Sequence, residues 1–420
     1  MKSILKFMRQ ARSVVARLYE PRGLGVCCSN GHTLTKTTII MTAEETQQVR
    51  PHRGQLQLEG IRASVAWTVI RSLFIGVHLW FSLSAQAQTT SDGFAIPQPG
   101  RVFNFPRDHG SHPEFRTEWW YITGHLDSTT GQRFGFQVTF FRQASRDKQQ
   151  LYLAHCALLD VRTGKFIHEE RLNREGWDAA SSTTTLDVRN GNWSLKGEDA
   201  MQLAATINAE ALLQLTLHPQ KPLVFFGKDG VSRKGLAPEA ASHYLTFPRL
   251  HCTGTLNVGN ATHEVTGSAW MDHEFSSSQL DEGQVGWDWA SLQLNDGREV
   301  MVYRMRRADG SSDPNGSTLA WVGKDGYATH TSAFTWQPLR TWTSPKSKAV
   351  YPIATRIETH DAVFELRPLA DIQELSNPIT GLAYWEGACD VLDAKGQVIG
   401  SAFLELAGYG GDLARHLRGK

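Results

Sequence analysis

From residue 117 onward the hydrophobic pattern is that of a β-meander. Phe134, Phe136, Val138 and Phe140 alternate with Gly135, Gln137 and Thr139, the period of two that turns one face of a strand inward. Asn190-Gly191 sits between strand-like runs at 183–189 and 192–196 and predicts a type I′ hairpin, because both central residues of that turn need positive φ. Asp296-Gly297 and Asp325-Gly326 give the same signal later in the chain. Helical expectations are confined to one turn over 238–243 and a short terminal helix over 411–417.

The stretch 105–126, FPRDHGSHPEFRTEWWYITGHL, organises the pattern. Pro106 and Pro113 forbid a helix there, since each lacks an amide donor and pushes its predecessor towards extended geometry. From Glu118 the aromatic and β-branched residues favour a pleated surface. The polar loop therefore predicts a barrel mouth, and the aromatic run the start of a wall strand.

An internal repeat sets the architecture. Residues 254–272, GTLNVGNATHEVTGSAWMD, lie without gaps over 387–405, GACDVLDAKGQVIGSAFLE. Gly267, Ser268 and Ala269 fall on Gly400, Ser401 and Ala402, and the acid Asp272 on the acid Glu405. Trp119, Tyr121 and Leu126 match Trp287, Trp289 and Leu294 at equal spacing. The reading is an all-β chain of two tandem antiparallel barrels made by duplication. Its parts are an extension and signal segment over 1–87, a first domain over 88–275 and a second over 284–412. Closing each sheet removes its exposed edges and leaves room for one small ligand; an open sandwich in each half is the alternative.

Composition narrows the function. The 420 residues carry 43 Lys+Arg against 42 Asp+Glu, a balance that argues against nucleic acid as partner. Thirteen Trp and 19 Phe favour an apolar small-molecule ligand. Arg62 and Arg71 precede an apolar run over 73–83 that ends at Ala85-Gln86-Ala87, the small-x-small pattern of a signal peptidase site. A periplasmic or secreted protein follows, with envelope association open. The run is shorter than the ~20 apolar residues of a membrane span. Cys27 and Cys28 leave with the signal, and Cys156, Cys252 and Cys389 have no CxxC spacing. This excludes a zinc-finger-type site and leaves at most one bridge.

Four groups could carry chemistry: Asp108-His109-x-x-His112, Glu118-Trp119-Trp120-Tyr121, Asp272-His273-Glu274, and Asp288 between Trp287 and Trp289. On a strand Asp272 and Glu274 share one face and His273 takes the other, so either can front a cavity. His-x-x-His in a Gly/Pro loop reads as a turn or hydrogen-bond clamp, because a metal needs further ligands from elsewhere. Asp272 and Glu274 can also serve as structural partners of Arg116 or Arg304. The sharper reading is an acid held neutral in an aromatic-lined, poorly hydrated cavity. Such an acid protonates a C=C bond while indole faces stabilise the cation, with no cofactor required. G-x-S-x-G, G-x-G-x-x-G and P-loop motifs do not occur, and Gly230-Val231-Ser232-Arg233-Lys234-Gly235 misses the first by one residue. Hydride transfer, nucleotide use and α/β-hydrolase chemistry are disfavoured.

RDHGSHPEFRTEWWYITGHL, GSAWMDHEFSSSQL, GWDWASLQLNDGREVMVYRMR and YWEGACDV resemble the bacterial lipocalin-like family that groups hydroxyneurosporene synthase (carotenoid 1,2-hydratase) with AttH-like predicted secreted hydrolases. The resemblance runs over 94–409 and implies two calycin-type barrels in tandem. It implies hydration of an isoprenoid or lipid, with Asp272 as proton donor beside Glu274 and Asp288. His273 or His109 would position water. Trp119, Trp120, Tyr121, Trp287 and Trp289 would form the walls, with Arg116, His112 and Glu118 at the loop. A non-catalytic lipid carrier of the envelope, or a secreted hydrolase, are the other functions the family allows. If the export reading is right, amino-terminal sequencing of the secreted protein reads Gln88-Thr89-Thr90; a mature protein that retains the 73–83 segment contradicts it.

Overall fold

The structure is a computed structural model that describes residues 88–376, 383–411 and 413. The expected signal segment with its cleavage site at Ala87 and most of the expected terminal helix lie outside the described residues. Within them the chain is almost wholly strand and turn, as the period-two pattern implies. No described helix is long and apolar enough to cross a membrane.

Two antiparallel sheets contain the strands. In the first, a meander of Thr117–Ser128, Arg133–Ala144, Gln150–Asp160 and Lys165–Arg174 joins a second run through the pairing of Thr117–Ser128 with Ala261–Ser278. That long strand pairs in turn with Ala241–Val258, which continues to Ala211–Pro219, Met201–Ile207 and shorter strands. The sheet curls until its ends meet through side chains. Asn173 Nδ2 donates to Asn190 Oδ1 at 2.6 Å, and Arg171 Nη2 to Thr206 Oγ1 at 2.9 Å. The result is a nearly closed barrel filled by Trp120, Ile122, Phe136, Phe140, Leu213 and Met271, among others.

The second sheet is centred on Gln284–Leu294, paired with Glu299–Arg307 on one side and Val398–Ala407 on the other. Its edges are Ala328–Thr331 and Thr335–Thr343, so it forms a half-barrel where the sequence suggested a second closed one. The reason is local to one edge. Thr335–Thr343 carries Pro338, has register shifts on both sides of Arg340 and is mostly exposed. A proline and irregular pairing are how an edge strand resists further pairing.

The repeat reappears as register. Tyr121 lies opposite Asp272, and Trp289 opposite Glu405. Gly267 lies opposite Leu126, and Gly400 opposite Leu294. A Cβ on Gly267 would fall 2.0 Å from the His125 carbonyl oxygen, and one on Gly400 2.4 Å from that of Gln293. The shared glycine is therefore required by close backbone approach. The Asn190-Gly191 turn is displaced by one residue: Asn190 pairs with Trp193, so Gly191 and Asn192 are the central pair. Only Gly191 has positive φ, at 64°, the pattern of a type II′ turn. Residues 238–243 form a turn that runs into a strand at Ala241 rather than helix. Cys156, Cys252 and Cys389 are buried free thiols.

A third apolar cluster draws Tyr121, Tyr244 and Trp270 from the first sheet and Trp289, Tyr303 and Phe403 from the second. The sheets thus pack together through the faces that point away from their own cores. This covers the central strands on both sides. Residues 269–277 and 288–294 are buried without alternation, as strands between two apolar layers must be. Gly267→Ala and Gly400→Ala should each cost about 1–3 kcal/mol through forced backbone displacement, read by urea denaturation. A loss below about 0.5 kcal/mol at both would refute the close-approach explanation.

Candidate functional site

The strand Ala261–Ser278 separates the expected site residues into two groups. His273 points into the first barrel, whereas Asp272 and Glu274 point into the seam between the sheets.

The barrel group gathers under the 105–116 loop. Glu118 Oε1 lies 2.7 Å from His112 Nδ1 and 2.9 Å from His273 Nε2. Its Oε2 accepts the His112 backbone amide at 2.8 Å and Arg142 Nε at 2.9 Å. His112 Nε2 faces Asp108 Oδ1 at 2.9 Å, so both ring nitrogens meet carboxylates. Burial alone would raise the Glu118 carboxyl, but Arg142 and the two imidazoles outweigh it and hold the group well below its usual range. Burial lowers His273, against the pull of Glu118. Trp120 stacks on His273 at 4.8 Å and donates to the His109 carbonyl at 3.1 Å. The His109 ring packs on Phe105 instead of joining His112, and burial with His273 nearby pushes it down to about 4.

His112, Glu118 and His273 are also the described trio whose ligand atoms converge, all within 4.8 Å. Zinc bonds of ~2.0–2.1 Å at tetrahedral angles place neighbouring ligand atoms about 3.3 Å apart. The observed 2.7 and 2.9 Å match N–H···O bonds, and an ion would have to spread all three groups. The clamp reading of the loop therefore fits the geometry better than a metal centre.

The seam group is larger than the sequence suggested. Asp272 accepts from Thr246 Oγ1 at 2.6 Å, Tyr244 Oη at 2.7 Å and Trp270 Nε1 at 2.7 Å. Trp289 Nε1 reaches across from the second sheet to Tyr244 Oη at 2.9 Å. Burial pushes Asp272 up to about 7; Glu274 adds to this, while the Thr246, Tyr244 and Trp270 bonds pull the other way. Glu274 accepts from Ser242 and pairs with Lys234 at 3.1 Å. The Lys234 ammonium lies 3.7 Å from the Tyr303 ring centre.

Two further acids come from the second sheet. Glu386 accepts from Tyr121 Oη across the seam, and its Oε2 is buried with no partner among the described residues. Burial and the neighbouring Glu405 raise Glu386 well above the carboxylate range. Glu405 is pushed up to about 8 by burial, with Glu274 and Asp272 adding to it against a hydrogen bond from Trp287. Trp119, Trp287, Tyr384 and Glu405 are half-buried, whereas Tyr121, Asp272, Glu386 and Trp289 are buried. The half-buried set forms the solvent-reached rim of the seam.

Of the remaining expected residues, Asp288 points into the second sheet's own core side. There it pairs with Arg304 and Arg306 and accepts from Tyr409 at 3.0 Å. Arg116 pairs with Asp92. Neither Arg116 nor Arg304 pairs with Asp272 or Glu274. Sequence reasoning missed Lys234, Tyr244, Trp270 and Glu386 as site members. A usable signal existed for Glu386, which sits beside Trp385 as Asp288 sits beside Trp287, on a strand that places it opposite the repeat acid Glu405.

Two acid-bearing sheets packed through aromatic faces define a tandem lipocalin-like protein. Residues 96–409 match the AttH-like family model, and the chain belongs to that family. Among solved structures, an AttH-type protein from Nitrosomonas europaea shares 37% identity at a TM-score of 0.70, covering 76% of this chain and all of that one. Kievitone hydratase from Nectria haematococca shares the fold at 14% identity and a TM-score of 0.59, over 77% of this chain and 96% of that one. The ceramide-binding protein svf1 of Emericella nidulans is 25% identical over 177 residues, 40% of this chain and 46% of the relative. The counterpart in Schizosaccharomyces pombe is 21% identical over 150 residues, 35% and 40% respectively. The chain thus spans less than half the length of these curated relatives.

The two groups predict opposite pH behaviour. Glu118 has a depressed folded pKa, so its contribution is present above its unfolded value and lost as pH falls. Asp272 and Glu405 have raised values, so the folded state holds protons that the unfolded chain has released between pH ~4 and ~8. Their effect is a decline in stability as pH rises through that window. Glu118→Gln should cost about 3–5 kcal/mol at pH 7, because Arg142 is left buried and uncompensated. Asp272→Asn should flatten the alkaline decline in urea-melt stability between pH 5 and 9. An unchanged slope would contradict the raised value.

Proposed function

We propose that this protein is exported, binds an apolar lipid or isoprenoid in the seam between its sheets and adds water across one of the ligand's C=C bonds. The observation that carries the reading is Asp272, a carboxyl enclosed by the Tyr244, Trp270 and Trp289 side chains and poised near neutrality at about 7. A general acid works best when its pKa lies near the working pH. Asp272 gives its proton to one alkene carbon, and the π pair forms the new C–H bond. The positive charge left on the second carbon is stabilised by the indole and phenol faces. A water oxygen attacks that carbon, and its surplus proton returns to the Asp272 carboxylate or a neighbouring acid, so the site ends as it began. The family membership and the hydratase with the same fold support this reading.

His273 and His109 do not serve as the water-positioning groups in this reading, because both lie on the barrel side of the Ala261–Ser278 strand. Glu274 with Lys234, Glu386 and Glu405 are the charged or acidic groups that share the seam with Asp272.

A second reading, a lipid carrier without turnover, is favoured by one observation. Asp272 takes three hydrogen bonds from its own sheet and, through Tyr244, ties that sheet to Trp289, which is what a purely structural acid does. The ceramide-binding relatives point the same way. Asp272→Asn discriminates. Incubated with an acyclic isoprenoid and followed by mass spectrometry for a gain of one water, the wild type should form product. The variant should lose at least about 100-fold in rate while retaining ligand binding. No water addition by the wild type, with the ligand bound, establishes the carrier reading instead.

A further inference from the structure

The seam is unbalanced in charge. The strand Ala261–Ser278 contributes Asp272 and Glu274, Ala383–Leu392 contributes Glu386, and Val398–Ala407 contributes Glu405. Lys234 pairs with Glu274 at 3.1 Å, and Arg133, reaching across the sheets, pairs with Asp390 at 2.9 Å. Among the described residues, Asp272, Glu386 and Glu405 have no cationic partner. The other titratable groups facing the seam are the phenols Tyr121, Tyr244, Tyr303 and Tyr384, and His125, which lies 3.0 Å from the Ala402 carbonyl oxygen and is pushed down to about 4 by burial. Tyr384 also bonds His155, which pairs with Glu170 at 3.0 Å. None of the phenols supplies positive charge.

A second observation points to a ligand. Glu386 is 1% exposed, yet its Oε2 has no hydrogen-bond partner among the described residues while Oε1 takes the Tyr121 hydroxyl. An acid held at the seam by one oxygen keeps on the other an unused acceptor that a donor or cation would satisfy. Around it the rings pack edge to face against one another. Tyr121 meets Trp289 at 5.2 Å and 90°, and Trp270 meets Trp289 at 6.1 Å and 74°. Aromatic faces joined to carboxyls attract organic cations, through ring quadrupoles and charge together. The unpaired carboxyls offer an anionic head group no positive charge while protonated, and repel it once ionised.

We infer that the seam selects a single-chain lipid with an amine or quaternary ammonium head group over neutral or acidic lipids of the same chain length. The inference rests on the reading that the seam is where the lipid binds, and it is independent of turnover. It follows from the same feature that would stabilise a cation formed during hydration, because a site complementary to a charged intermediate also favours stable molecules that carry that charge. Lys234 also acts on Asp272 and Glu405, but its ion pair is with Glu274 and it leaves the seam with more carboxyls than cations. Entry of a cation ionises a neighbouring acid and releases a proton. With Glu405 at about 8, affinity should fall by up to about tenfold per pH unit below that value.

Binding of dodecyltrimethylammonium, dodecanol and dodecanoate to the mature protein, each below its micelle-forming concentration, tests this by tryptophan fluorescence and calorimetry. The trimethylammonium charge is permanent, so any pH dependence belongs to the protein. At pH 8.5 it should bind at least about tenfold more tightly than dodecanol, the ratio should shrink by about tenfold at pH 6.5, and dodecanoate should bind weakest. Glu386→Gln and Glu405→Gln should each lower cation affinity by about fivefold or more and leave dodecanol unchanged. Glu405 lies at the rim, so its variant serves as the control if the buried one melts early. Dodecanol binding as tightly as the cation, or a pH-independent ratio, overturns the cation preference and leaves lipid binding in the seam intact. If none of the three binds to folded protein, both fall.

Discussion

Burial of carboxyl groups between two sheets, with too few cations to pair them, is the constraint on which the rest depends. Each sheet satisfies its own core with apolar side chains. The faces left over are then pressed together, and the strands Ala261–Ser278 and Val398–Ala407 carry acids on those faces. Ionised carboxyls in such a place are costly unless paired. Lys234 pairs one of them. Burial raises the pKa of the remaining three, and a proton-bearing acid among indoles is a chemical tool.

The barrel mouth shows the opposite solution with similar residue types. Glu118 meets Arg142, His112 and His273, and Asp108 meets His112, Arg101 and Arg107. Every charge there has a partner within hydrogen-bond reach. This cluster ties the 105–116 loop to three strands and plugs the first barrel. The second sheet has a smaller version in Asp288 with its two arginines. Compensated acids hold the architecture together, and uncompensated ones equip the seam.

Much of this was legible in the sequence. The period of two and the gapless repeat define an all-β duplication, and the matching of Asp272 with Glu405 and of Tyr121 with Trp289 is realised as equivalent register in both sheets. The face taken by Asp272 was not legible, because alternation along a strand says that His273 goes the other way without saying which side is which. Nor was the meeting of Tyr121 with Glu386, or of Tyr244 with Trp289, since contacts between sheets leave no periodic trace. Lys234 read only as a failed turn motif, because nothing local reveals that its side chain is buried against Glu274. The open second sheet depends on Pro338 and the irregular pairing beside it, details too local to outweigh the overall meander pattern.

Infrared difference spectroscopy of the carboxyl C=O stretch, titrated from pH 5 to 9, tests the central claim most directly. Protonated carboxyls absorb apart from carboxylates, so neutral buried acids are counted without reference to any ligand. The account predicts a protonated-carboxyl band that persists at pH 7, titrates out at and above neutrality, and loses intensity in Asp272→Asn, Glu386→Gln and Glu405→Gln. A spectrum with no such band above pH 6 would mean that the seam acids are ionised, and the account would be wrong.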